Sequence, residues 1–171
     1  MTRLSPVGAV WRGVLAGAVG TVAMDLVWFY RYRRGGGESG FLDWELSTAP
    51  SSWESAPAPA QIGRRLIEAV FHRQIPVEHA ALVNDVMHWS YGLFWGTGYG
   101  IVARSVAAPP PLRAGVAFGS TVWAGDYVIL PLAKVYKPLW KYDAKTLVDD
   151  LSAHLVFGAA TATAFRMLSP I

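Results

Sequence analysis

The sequence contains no cysteine, which excludes disulfides, thiolate metal centres and cysteine nucleophiles together. Charge is also scarce. Asp, Glu, Lys and Arg make up 16% of the chain, against about a quarter in soluble domains. The net charge is only +3 and its basic residues are dispersed among loops, so the clustered basic face of a nucleic-acid binder is missing. There is no G-x-S-x-G and no P-loop. Gly96-Thr97-Gly98-Tyr99-Gly100 lies inside an apolar stretch and follows no strand, so it makes no dinucleotide site.

In place of charge there is apolar surface. Hydrophobic residues reach 53%, with eight Trp and seventeen Gly, and mean hydropathy is positive. At 171 residues the chain is one domain's worth. Low charge with abundant glycine fits helices solvated by lipid better than by water. Four stretches approach the length needed to cross ~30 Å of hydrocarbon: Val7 to Tyr30, Ala80 to Ala103, Leu112 to Val135 and Ala144 to Leu168. The first begins like a cleavable signal, with Arg3, the run Val14 to Ala23, and small residues at Thr21-Val22-Ala23. It continues through Leu26 to Tyr30 into Arg31, Arg33 and Arg34, however, which reads as a retained span with a charged stop.

Punctuation agrees with four spans. Pro109-Pro110-Pro111 breaks the chain between the second and third. Asp143 stands where an N-cap for the fourth belongs, with Pro138 upstream. Trp28, Tyr30, Tyr32, Tyr136, Trp140 and Tyr142 crowd the span ends, as interfacial rings do. The connection from Gly35 to Val77 opens on three glycines and is rich in Ser, Pro and Ala from Ser47 to Ala60. From Gln61 to Gln74 it turns amphipathic, with Ile62, Leu66, Ala69 and Val70 opposite Arg64, Arg65 and Glu68. This predicts a short helix lying on the membrane surface, packed on the bundle mouth, or in an ordinary loop. Arg3, Arg12, Arg104, Arg113 and Arg166 flank one side, against ten basic residues in the odd-numbered loops. The positive-inside rule puts those loops in the cytoplasm and both termini outside.

The alternation of span direction brings the polar residues together. Asp25 and Asp126 lie late in spans one and three; Asn84, Asp85, His88, Asp149, Asp150 and His154 lie early in spans two and four. All fall at one end of the bundle, the histidines roughly 15 Å from its boundary at ~1.5 Å per residue. Asp150 and His154 share a helix face, and so do Asn84, Asp85 and His88. Asp149 is close enough to the Asp143 cap to reach the interface. Polar side chains at such depth face the bundle interior and pair with one another.

Three roles suit this cluster of Asp25, Asn84, Asp85, His88, Asp126, Asp150 and His154. His88, His154, Asp85 and Asp150 are candidate ligands for a transition metal. Their spacing meets the paired-helix carboxylate pattern only at Asp85-x-x-His88; Asp150-x-x-x-His154 is one residue off, and none of the four is a glutamate. Acid and histidine chains in membranes also carry protons or cations. The third role is structural, with acid, His, Asn and hydroxyl groups satisfying one another and setting helix register. Glycines recur at fourfold spacing at Gly13 and Gly17, at Gly92, Gly96 and Gly100, and at Gly115 and Gly119. Such stripes serve close packing within the chain or homo-oligomerisation, and His88, on the same face as Gly92 and Gly96, points inward.

Residues 85 to 160 also resemble the YagU-like family of small bacterial inner-membrane proteins. The resemblance is carried by His88, the aromatic-glycine run to Gly98-Tyr99-Gly100, Leu112 to Gly119, Leu130-Pro131-Leu132, Pro138-Leu139-Trp140 and His154-Leu155-Val156-Phe157-Gly158. It implies an inner-membrane location and a link to acid tolerance through His88 and His154. The expectation is therefore a single all-α membrane domain over residues 1–171: a four-helix bundle with a short interfacial helix in its first loop. It is non-enzymatic, contacts the lipid bilayer, and takes part in proton or ion homeostasis. It requires no cofactor, although a transition metal is left open. A membrane-embedded metal-dependent enzyme and an accessory subunit of a larger complex are the alternatives.

Overall fold

A computed structural model describes residues 5–46, 50, 52–105 and 110–169; Arg3, Ser47 and Pro109, named above, lie outside them. Among the described residues the chain is all-helical, without strands. Its α-helices are α1 (Pro6–Arg34), α2 (Phe41–Leu46), α3 (Ala58–Phe71), α4 (Ala80–Ala103), α5 (Pro111–Leu132) and α6 (Ala144–Leu168). Two of them, α1 and α6, are long and apolar enough to cross a membrane. The windows of α4 and α5 are less apolar, because His88, Trp89, Tyr91, Trp95 and Tyr99 occupy one and Trp123, Asp126 and Tyr127 the other.

Local chemistry explains the helix ends. Ser5 caps α1 by accepting from the Gly8 amide. Asp143 caps α6 as its position predicts, accepting from the Thr146 amide at 2.9 Å and from the Thr146 hydroxyl at 2.7 Å. These bonds hold the Asp143 carboxyl below the usual carboxylate range. The third long helix stops at Leu132 rather than running to Val135. Pro131 removes one amide from its last turn, and Lys134 turns the chain with φ 55°.

The long helices pack in the order α4, α1, α6, α5, and glycine makes the seams. A Cβ on Gly96 would stand 2.4 Å from the Gly17 Cα and 2.5 Å from the Gly13 carbonyl oxygen. A Cβ on Gly158 would stand 2.1 Å from the Gly115 carbonyl oxygen. The stripes read from the sequence are thus occupied within the chain, between α1 and α4 and between α5 and α6. The backbones of α4 and α5 stay apart. They are bridged by side chains, with Trp95 and Tyr99 both against Phe118 at ring separations of 6.2 and 4.9 Å.

One cluster of buried side chains joins the long helices: Met24, Val122, Ala153 and Phe157, flanked by Val27, Trp28, Trp95 and Phe118. Large apolar residues point outward instead. On α1, Val7, Trp11, Leu15, Val19, Val22, Leu26 and Tyr30 are all exposed and form one continuous face. Small residues line the opposite face, where Ala9, Gly13, Ala16, Gly17 and Gly20 are buried.

α2 and α3 fold over one end of this assembly. The short α2, not expected from the sequence, places Phe41 and Trp44 against Phe29 at ring separations of 5.3 and 5.5 Å. The amphipathic helix forms as α3, shifted to Ala58–Phe71 from the expected Gln61 to Gln74. Pro57 and Pro59 favour the earlier start, and a left-handed His72 (φ 52°) ends it. α3 packs on α4 through Ala60 and Gly63, whereas the expected apolar stripe is largely uncovered, with Leu66 53% and Val70 67% exposed. Arg65 crosses to the end of α5, donating to the carbonyls of Ala133 and of Lys134.

Candidate functional site

A cavity of about 980 Å³ opens between the long helices beneath α2 and α3. The expected residues Asp25, Asn84, His88, Asp126, Asp150 and His154 all reach its wall, so the gathering of polar groups at one end is observed. The pairs form between helices. His88 does not pair with Asp85 one turn away; its Nε2 lies 2.8 Å from Oδ1 of Asp25 on α1. Asp85 is half-buried, and its neighbour Asn84 donates to it at 3.4 Å. The reason is level along the seam: Gly92 of α4 meets Thr21 of α1, so one turn further on His88 meets Asp25, and Asp85 lies nearer the helix end.

The second pair joins α5 to α6. His154 Nδ1 lies 2.9 Å from the Asp150 carbonyl oxygen and Nε2 lies 3.2 Å from Asp126 Oδ2. A carbonyl can only accept, so Nδ1 carries a hydrogen, and the proton between Nε2 and Asp126 is the one free to move. Tyr91 of α4 donates its hydroxyl to the other oxygen of Asp126 at 2.5 Å. The Asp150 carboxylate lies 3.5 Å from His154 Nδ1. A chain Tyr91–Asp126–His154–Asp150 therefore spans α4, α5 and α6. Asp25 and Asp126 are 4% and 7% exposed. Carboxylates so placed need partners, because isolated buried charge is very costly.

Asp150 also borders a second cavity of about 370 Å³, shared with Tyr136, Tyr142, Thr146 and Asp149. Burial and the negative charge of Asp150 push the Tyr136 phenol well above its usual range, so it stays a neutral donor. Asp149 turns outward, as its closeness to the cap suggested, to meet Lys145 at 2.6 Å and Arg31 at 3.7 Å. Arg31 further donates to the Asp149 carbonyl and to Ser152, with its guanidinium 4.7 Å from the Trp28 ring centre.

The four candidate metal ligands do not converge. His88 and His154 are held by different carboxylates, and among the described residues no three His, Asp or Glu side chains form a metal-binding group. Sequence reasoning missed two contributors. Tyr91 is one, although its position three residues after His88 on a helix places it on the same face. Glu45 is the other: it sits on α2 at the cavity rim and accepts from Trp89 Nε1 at 3.2 Å. Burial, then the charge of Asp25, raise the Glu45 carboxyl above its ordinary range.

No protein-family model matches this chain, and neither does any curated protein or solved structure.

Proposed function

We propose that this chain is a multi-pass membrane protein whose spans are α1, α4, α5 and α6, and that it holds and passes protons through two carboxylate–histidine pairs. The observation that carries the reading is that the Asp25–His88 and Asp126–His154 pairs both stand on the wall of one cavity. In the second pair a proton can move between Asp126 Oδ2 and His154 Nε2 without changing the pair's net charge. Tyr91 and the Asp150 carbonyl hold the two acceptors in place. Asp150, bordering both cavities, continues the route towards Asp149 and Thr146 at the helix end. Acid and histidine chains of this kind mark proton paths in membranes.

The apolar outer face of α1 supports the membrane setting, since so long an exposed stripe is a liability in water. Among the polar aromatics of α4, Tyr91 donates to Asp126 and Trp89 to Glu45. Basic residues concentrated at the end of α1 and around Lys134 to Lys145 favour cytoplasmic odd-numbered loops. The resemblance of residues 85–160 to the YagU-like family belongs to the same proposal and favours a role in acid tolerance at the inner membrane.

The test is proton flux into liposomes containing the purified chain and a pH-sensitive dye. The wild type dissipates an imposed pH gradient faster than empty liposomes, and Asp126→Asn slows it by about tenfold or more. Equal rates for the two proteins, at equal incorporation, would exclude the relay.

A further inference from the structure

The main cavity is too large for a proton path alone. At about 980 Å³ it is at the upper end of small-molecule sites, which run to about 1,000 Å³. Its wall is largely apolar and aromatic: Trp28, Trp44, Tyr91, Trp95 and Tyr136 all contribute. Its polar groups are lopsided. Asp25, Glu45, Asp126 and Asp150 supply four carboxyls. Among the described residues the only permanent cation on the wall is Arg31, which is committed to Asp149 and Ser152. Three acceptor atoms on the wall have no hydrogen-bond partner: Asp25 Oδ2, on a side chain 4% exposed, Asn84 Oδ1 and Asp150 Oδ2. Aromatic faces together with carboxylate oxygens that lack a partner attract a cation that carries apolar surface.

We propose that the cavity binds an organic cation, an ammonium group on an apolar body, with Asp25 and Glu45 facing the charge and the rings of Trp28, Trp44 and Trp95 enclosing the rest. An inorganic ion fits poorly, because it would leave the aromatic wall unused. The rise of the Glu45 carboxyl through burial and the Asp25 charge agrees with this, since a cation between the two would relieve their crowding. Glu45 and Trp44 arrive on α2, so that helix completes the site.

The site shares its cavity with the proton relay but has a separate test, because binding is measured at equilibrium without any gradient. The full chain in dodecyl maltoside is dialysed against phenyltrimethylammonium, with tert-butylbenzene as neutral isostere and benzoate as anion. One saturable site per chain is expected, weakened about tenfold in Glu45→Gln and in Asp25→Asn, and not competed by the isostere or by benzoate. Glu45→Gln is partly exposed and keeps an acceptor for Trp89, so it reads binding even where Asp25→Asn fails to fold. Competition by phosphatidylethanolamine but not phosphatidylglycerol would identify the ammonium as a lipid headgroup; no competition by either would identify it as a free amine. Equal competition by tert-butylbenzene, an unweakened Glu45→Gln, or no saturable binding would overturn the proposal. Loss of binding with intact proton flux would leave the relay standing, and the reverse would leave the site.

Discussion

Gly96→Ala tests the glycine seam that holds the site in shape. The new Cβ would stand 2.4 Å from the Gly17 Cα, 2.5 Å from the Gly13 carbonyl oxygen and 2.7 Å from the Gly17 amide nitrogen. Carbon atoms in contact prefer about 3.5–4.0 Å. The backbone of α4 must therefore retreat from α1 by about 1 Å, and both partners are backbone that cannot swing aside. Overpacking of this kind costs about 1–3 kcal/mol, set against a gain of up to ~1 kcal/mol from replacing glycine by alanine inside a helix. Gly98→Ala is the control on the same helix, because no heavy atom lies within 4 Å of its Cβ position. It keeps the propensity gain without the clash. The two variants should differ by about 1–3 kcal/mol, or roughly 2–12 °C in melting temperature for a chain of this size. The melt is read from intrinsic fluorescence in detergent, for which the eight tryptophans suffice. His88 lies two turns before Gly96 on the same seam, so Gly96→Ala should also lengthen the His88–Asp25 contact and slow proton flux. If Gly96→Ala melts at or above Gly98→Ala, α1 and α4 do not meet through these glycines.

Tyr91→Phe removes the hydroxyl donated to Asp126 and should destabilise the protein by about 1–2 kcal/mol in a membrane setting, with slower proton flux; an unchanged melt and flux would disconnect Tyr91 from the relay. Glu45 should make the docking of α2 pH-dependent. Its folded carboxyl is raised, so the docked state binds the proton more tightly, and docking is strongest below the ordinary glutamate range and weakens as pH rises through the raised value. Hydrogen exchange of the Phe41–Leu46 amides, corrected for intrinsic rates, should be slower at pH 5 than at pH 7 in the wild type and independent of pH in Glu45→Gln; matching profiles would clear Glu45 of that role. The absence of cysteine makes topology direct to measure. A single cysteine at Gly36 should react with impermeant maleimide only after the inner membrane is opened and one at Arg104 in intact spheroplasts; the opposite pattern would reverse the orientation.

The long helices were legible because their causes are local. Apolar length, the prolines at 110 and 111 and the Asp143 cap act within a few residues of the boundaries they set. Gathering of the polar residues at one end was equally legible, since alternating direction is enough to produce it. The identity of the pairs was not. Spacing within a helix does not say that Asp25 meets His88; that follows from the antiparallel glycine contact of α1 and α4, which brings the two to one level. That choice depends on which helices are neighbours, an order of α4, α1, α6, α5 that differs from sequence order. α2 escaped notice because six residues show too little periodicity to stand out, and it is held by rings from α1. α3 was recognised by its amphipathic pattern. Yet its contact with α4 runs through Ala60 and Gly63, small residues that a hydrophobic pattern does not mark.

The open side between α4 and α5 has a mechanical consequence. The chain forms two glycine-seamed pairs, α1 with α4 and α5 with α6, joined where Gly20 of α1 meets Phe157 and Thr161 of α6. Parting the two pairs breaks the Tyr91–Asp126 hydrogen bond, slides a few rings past Phe118 and releases Arg65 from the end of α5. No glycine seam has to yield. Whatever widens the gap between α4 and α5 therefore strips the Asp126 carboxylate of one of its hydrogen-bond donors.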